Sequence, residues 1–285
     1  MKKIAITGAS GFVGTNLINH FKAQGYEVSA IKRDQLKSID TLKEIVDGCE
    51  LVINLAGANI INRWTPQYKE LLYSSRLDTT HALIKAFEKA TNKPKTFIST
   101  SAVGIYTNTQ EHSEENFQYG DDFLAKLCKD WESEAFKAET LGVRTAVFRF
   151  GIVLGKGGGA LDKMLTPFKL GLGGVIGDGS QAFSFIHIDD LLRAYDFILA
   201  DTSQHGVYNL TAPKPTDNKG LTKALGKALH RPTFLPLPEF VLNLIFSEGA
   251  KVLTDGQRVV PSKLIANGFE FHYQDIQSTI ESIVS

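Results

Sequence analysis

The chain reads as an α/β protein: a Rossmann-type, doubly wound parallel sheet with a small C-terminal substrate lobe. Three observations predict this. The chain opens on strand, glycine turn and helix at residues 4–21. Short apolar runs then alternate with helix-period segments over the next two hundred residues, the pattern of βαβ units. From Pro213 the composition changes, with Pro215, Pro232, Pro236 and Pro238 punctuating short helices. The expected division is a Rossmann-type domain at 1–212 and a small lobe at 213–285, with 156–179 contributing to a mouth between them.

The opening stretch, I-A-I-T-G-A-S-G-F-V-G at 4–14, organises the rest. Ile4, Ala5 and Ile6 form the apolar run of a strand buried on both faces. Gly8, Gly11 and Gly14 follow, then an amphipathic run through Leu17, Ile18 and Phe21. Without a Cβ the backbone can bend sharply and approach a pyrophosphate closely, while the new helix turns its free N–H groups toward the phosphates. Residues 26–31 read as the second strand, Leu36–Gly48 as a helix, and 51–57 as a buried strand ending in Gly57. One helical region starts at 63–66 and runs through Tyr73, and a second carries Leu77, Leu83, Ile84 and Phe87. Residues 96–101 are the fourth strand, 121–132 a helix with apolar spacing at Phe123, Leu127 and Trp131, and 144–150 another central strand. The glycine-dense segments 155–159 and 171–179 flank a helix carrying Met164, Leu165 and Phe168. His187, on a short apolar strand before Asp189 and Asp190, reads as structural, and 208–210 as a returning strand.

Composition narrows the function classes. Of 285 residues 43% are hydrophobic, enough for one large α/β domain with an added lobe. Lys+Arg and Asp+Glu both number 31, so bulk charge points to no nucleic-acid partner. No apolar run approaches the roughly 20 residues that span a bilayer, and the stretch after Met1-Lys2-Lys3 is too short for a signal peptide. Cys49 and Cys128 are the only cysteines, giving neither a disulfide framework nor metal-ligand spacing. The expected compartment is the reducing cytoplasm, and the expected partner a small molecule. At the end of the second strand, where an NAD site carries an acidic residue for the ribose 2′-hydroxyl, Lys32 and Arg33 stand instead. Two cations suit a 2′-phosphate and favour NADP; a solvated Lys-Arg pair beside Asp34 is the plainer alternative.

The spacing G-x-x-G-x-x-G, with Thr7 before it, resembles the extended, epimerase-like branch of the short-chain dehydrogenase/reductase superfamily. Further motifs narrow the match: N-L-A-G-A-N-I, S-R-L-D-T-T, S-A-V-G-I-Y, F-L-A-K-L-C-K-D-W-E, F-R-F-G-I-V-L-G-K-G-G-G-A-L and I-H-I-D-D, with G-Q-R-V-V-P in the tail. Together they resemble the YfcH-like epimerase family over essentially the whole chain. The resemblance implies an NADP-binding, epimerase-like oxidoreductase acting on a small hydroxy or keto compound, nucleotide sugars included. It places cofactor contacts on Gly8, Ala9, Ser10, Gly11, Phe12, Val13, Lys32, Arg33, Leu55, Ala56, Gly57, Arg76, Gly151 and Ile152.

The superfamily also implies chemistry at two places. Ser101 matches the strand-end hydroxyl that hydrogen-bonds the reacting oxygen; its bland alternative is to satisfy loop backbone groups. The next helix normally carries Tyr-x-x-x-Lys, whose i, i+4 spacing puts a phenol and an amine on one face. Here Lys126 fits the lysine, but the residue four earlier is Asp122. Asp122 and Lys126 form either a working acid–base pair or a helix cap with a surface ion pair, and Tyr106 and Tyr119 are the alternative phenols. The departure is shared by the form of this helix in the subgroup. It leaves two readings: an enzyme using Ser101, Lys126 and Asp122, or a non-catalytic NADP(H)-responsive binding protein.

Overall fold

A computed structural model describes residues 2–284 and, for Lys163, the backbone alone. β1 (Lys3–Thr7) leads through the glycine turn into α1 (Phe12–Ala23), and β2 (Glu27–Ile31) returns beside it. Next come α2 (Ile39–Val46), β3 (Leu51–Asn54), α3 (Pro66–Lys89) and β4 (Thr96–Ala102). The short β5 (Glu111–His112), α4 (Phe123–Phe136) and β6 (Arg144–Phe150) follow. After β7 (Ile152–Leu154) and α5 (Gly159–Lys169) the chain forms β8 (Ala182–Phe183), β9 (Phe185–His187), α6 (Ile188–Ala200) and β10 (Gly206–Leu210).

Six strands make one parallel sheet in the order β10-β6-β4-β3-β1-β2. Sheet growth reverses between β1 and β3, which pair with Thr7 opposite Asn54. In an open parallel sheet, ligands bind beyond the carboxyl ends of the strands at such a switch point. Successive side chains alternate between two cores, as strand geometry requires. Ile4 and Ile6 pack with Leu17 and Phe21 of α1 and with Leu191 and Tyr195 of α6. Ala5 and Val52 face the other way, toward Leu42, Leu83, Phe87 and Ala135.

Two helix boundaries differ from the sequence reading. The helix expected over Leu36–Gly48 is a 3₁₀ turn at Gln35–Lys37 followed by α2, because the Ser38 hydroxyl accepts the Thr41 N–H at 3.2 Å and starts a new helix. The two helices expected between 63 and 87 are one: Thr65 caps it, Pro66 occupies its first turn, and no Gly or Pro interrupts the rest. His187 holds a structural place, its Nδ1 accepting the Asp189 N–H at 3.1 Å to cap α6.

Beyond β10 come β11 (Thr216–Asp217), α7 (Asn218–Leu229), α8 (Glu239–Phe246), α9 (Lys251–Thr254), β12 (Arg258–Val259), α10 (Ser262–Ala266) and α11 (Ile276–Val284). This segment is tied back to the sheet end: β12 pairs with β5, and the Ser184 hydroxyl bridges the Gln257 carbonyl and the Val259 N–H. Residues 252–257 thereby lie along the open end of the sheet. Among the described residues no helix is long and apolar enough to cross a membrane.

Candidate functional site

A cleft of about 520 Å³ opens where β1, β3, β4 and β6 end. Its floor at one end is the glycine turn. Gly8 has φ +64°, and a Cβ there would sit 2.7 Å from the Leu55 carbonyl carbon; one on Gly14 would meet the Gly8 oxygen at 2.4 Å. Nothing larger fits either position. The turn is held from below by Thr7, which donates to Asn54 Oδ1 at 2.7 Å and accepts the N–H groups of Leu55 and Ala56 at 3.1 Å. α1 starts at Gly11 with no side-chain cap and no acidic residue in its first turn. Its orphan N–H groups and positive dipole end are therefore left for a ligand, which suits a diphosphate.

Gly8, Gly11, Phe12, Val13, Leu55, Gly57, Arg76, Gly151 and Ile152 all line this cleft. Ala9 is half-buried in the turn and Ser10 exposed on it; neither lines the cleft, nor does Ala56. Arg76 is the most informative of the set. Its guanidinium lies 2.9 Å from where a Gly57 Cβ would be and 5.3 Å from the Trp131 ring, and it donates to the carbonyls of Leu72 and Ala58. Burial pulls its pKa below the ordinary value, and among the described residues no carboxylate pairs with it. A half-buried cation without a counter-ion is a site prepared for an anion. Lys32 and Arg33 stand exposed just past β2, outside the cleft lining, and neither forms an ion pair among the described residues.

The far end of the cleft departs from the expected chemistry. Ser101 lies in the wall at the end of β4, buried, with its hydroxyl proton given to Glu132 Oε1 at 2.6 Å. Asp122 caps α4, its carboxylate accepting the Ala125 N–H at 2.9 Å. Both Asp122 and Lys126 are exposed and outside the lining. The α4 face that looks into the cleft carries Leu124, Leu127, Cys128 and Trp131. Leu124 and Cys128 are thus an i, i+4 pair facing the ligand space, two positions on from Asp122 and Lys126. This corrects the expected Asp122–Lys126 acid–base pair: helix periodicity puts it on the solvent side. The Cys128 thiol is no substitute for the missing amine: burial pushes its pKa up to about 11 and keeps it protonated, and a protonated thiol carries no positive charge to steady a phenolate.

Neither loop phenol reaches the cleft lining. Tyr106 is buried and donates to Asn209 Oδ1 at 2.8 Å, and burial raises its pKa to about 12. It belongs to a network centred on Arg149, which is 2% exposed. Arg149 pairs with Glu132 through Nε at 2.8 Å and Nη2 at 2.7 Å, and donates to Tyr106 Oη at 2.6 Å and Tyr119 Oη at 3.1 Å. Sequence reading passed over Arg149 and Glu132. The available signal was an arginine one residue from the end of R-T-A-V-F-R-F, in a run otherwise patterned for full burial, where an unpaired cation would be prohibitive.

Two family models match the chain: NAD dependent epimerase/dehydratase family over residues 4–211, and a domain of unknown function, DUF1731, over 237–283. The mouse epimerase family protein SDR39U1 is 36% identical, covering 99% of this chain and 100% of its own. The Bacillus subtilis epimerase family protein YfhF is 35% identical over 99% and 98%. The human epimerase family protein SDR39U1 (isoform 2), solved with NADPH, superposes with a TM-score of 0.90 at 35% identity over 99% of both chains. With its glycine turn, switch-point cleft and six-stranded parallel sheet, the chain belongs to the NAD dependent epimerase/dehydratase family, within the extended short-chain dehydrogenase/reductase fold.

Proposed function

We propose that this protein binds NADP(H) in the cleft and acts as an epimerase-like oxidoreductase on a small hydroxy or keto compound. The observation that carries the reading is the anion-ready end of the cleft: an uncapped helix N-terminus over a turn only glycine can make, with Arg76 half-buried nearby and without a carboxylate partner among the described residues. The NADPH found with the human relative supports it. In this reading the first-turn N–H groups of α1 hold the diphosphate, and Lys32 and Arg33 take the 2′-phosphate. Gly151 and Ile152 shape the floor at the far end. The bound dinucleotide supplies or accepts a hydride. In this reading Ser101, in the cleft wall at the end of β4, is the hydroxyl that meets the reacting oxygen, with Glu132 holding its proton.

A second reading has its own support. With Leu124 and Cys128 on the wall where a phenol and an amine are needed, the cleft offers no fast proton donor, which suits a protein that responds to NADP(H) without turnover. Titrating NADPH and NADH against wild type and an Arg33→Ala variant tests the cofactor assignment. The wild type should prefer NADPH by about tenfold or more, and Arg33→Ala should erase most of that preference. Equal wild-type affinities would overturn it. Loss of NADPH absorbance on adding a metabolite panel separates enzyme from sensor.

A further inference from the structure

The substrate end of the cleft differs in kind from the dinucleotide end. Its walls are Leu124 and Leu127 from α4, Ile176 and Phe183 from the glycine-rich segment and β8, and Leu253 from α9. Apolar lining is common in ligand sites; the polar groups distinguish this one. Most are already engaged within the protein, the Thr100 hydroxyl, which has no partner among the described residues, being the exception. The Ser101 hydroxyl donates to Glu132 and the Ser184 hydroxyl to the Gln257 carbonyl. The Gln181 amide donates to the carbonyls of Ile176 and Leu253, at 3.2 and 3.4 Å. The Asn218 carbonyl oxygen accepts the Ile176 N–H at 2.8 Å. What remains to meet a ligand here is mainly hydrocarbon.

Charge points the same way. Among the described residues lining the cleft, Arg76 is the only Lys or Arg, and it lies against Gly57 at the dinucleotide end. An adjoining polar cleft shares Gln181, Ala182 and Gly256 with this one, and Glu111, Asp178 and Glu239 line it with a single Arg258. Asp255 lines the substrate end, so a diphosphate placed at either position would meet more carboxylate than cation. The rim is apolar as well. Segment 174–177, which brings Ile176 to the cleft, is bonded to residues around Leu237 through the Leu237 N–H to the Val175 carbonyl and the Gly177 N–H to the Leu237 carbonyl. Beside it on the chain stand Phe234 and Phe240, 74% and 70% exposed.

We infer that the substrate of this site is a neutral, predominantly apolar small molecule, not a nucleotide sugar or other diphosphate. The inference rests on the dinucleotide occupying the Arg76 end, and it excludes the nucleotide sugars that the family resemblance admits. The test is calorimetric titration of the full-length protein, first with NADPH alone. Saturated with NADPH, it is then titrated with three neutral ketones of graded size (acetophenone, 2-acetylnaphthalene, 2-dodecanone) and separately with UDP-glucose and inorganic pyrophosphate. At least one ketone should bind at least tenfold more tightly than UDP-glucose, and Leu253→Asp should weaken that ketone at least tenfold while leaving NADPH affinity unchanged. Should Leu253→Asp not fold, as judged by thermal unfolding, Ile176→Asn carries the same expectation. UDP-glucose binding as tight as the best ketone, no ketone binding, or ketone binding indifferent to both variants overturns the inference. If NADPH itself fails to bind, the cofactor reading falls; the ketone and UDP-glucose titrations on the ligand-free protein then decide the substrate class by themselves.

Discussion

The Glu132–Arg149 pair allows a quantitative test of how the site is held. Replacing Glu132 with Leu removes both acceptors of a guanidinium that is 2% exposed, and strands the Ser101 hydroxyl that donates to the same carboxylate. Breaking a buried ion pair from one side costs about 3–5 kcal/mol, and an orphaned buried hydroxyl adds roughly 1 kcal/mol. Glu132→Leu should therefore lose about 4–6 kcal/mol. Arg149→Met should lose about 3–5 kcal/mol, because the carboxylate keeps Ser101 as a donor. The double variant Glu132→Leu/Arg149→Met strands no charge and fills similar volume, so it should be no less stable than the worse single variant. The coupling term is then at least about 3 kcal/mol. Equilibrium urea unfolding of the four proteins, followed by far-ultraviolet circular dichroism, measures it. Additive losses, or single losses below about 1 kcal/mol, would show that the pair is not the desolvated lock described here.

Three further outcomes follow from the geometry. Gly14→Ala should cost about 1–3 kcal/mol and weaken NADPH binding at least tenfold, because its Cβ would meet the Gly8 oxygen at 2.4 Å and push the turn off the helix end; a fluorescence titration with unchanged affinity would contradict it. His112 is buried neutral, with Nε2 donating to the Thr107 carbonyl at 2.9 Å and Nδ1 accepting the Gln118 N–H at 3.2 Å, and burial holds its pKa below the ordinary 6.5. Its contribution is therefore complete above pH 6.5 and is lost as pH falls below it, by up to about 1.4 kcal/mol per pH unit; His112→Gln should flatten the decline in urea midpoint as pH falls below 6.5. Finally, burial pushes the thiols of Cys49 and Cys128 up to about 11, so Ellman's reagent at about pH 8 should find neither in the native protein and both in urea.

The sheet and the dinucleotide end were legible because their signals are local. A strand, a glycine turn and a helix lie within twenty residues, and apolar runs report burial directly. The helix boundaries that moved did so for equally local reasons, a serine cap at 38 and an uninterrupted stretch after Pro66. The far end of the cleft was harder, because it depends on helix phase. Matching residue types found Asp122 and Lys126, yet the cleft-facing stripe is set by where Leu127 and Trp131 pack, which puts Leu124 and Cys128 inward. Nothing in the spacing of Ser101, Glu132 and Arg149 announces that they meet; they are brought together by the pairing of β4 with β6 under α4.

That meeting has a practical consequence for protein engineering. α4 is pinned in depth and rotation by Glu132, one turn beyond Cys128, and the anchor does not involve the side chains of Leu124 and Cys128. Leu124 and Cys128 can be exchanged while the helix stays clamped to β6. A tyrosine and a lysine installed there would face the ligand space one helical turn apart, beside the Ser101 hydroxyl. The scaffold is thus a ready chassis onto which a proton relay could be grafted by two substitutions, its alignment supplied in advance by a salt bridge on the dry side of the wall.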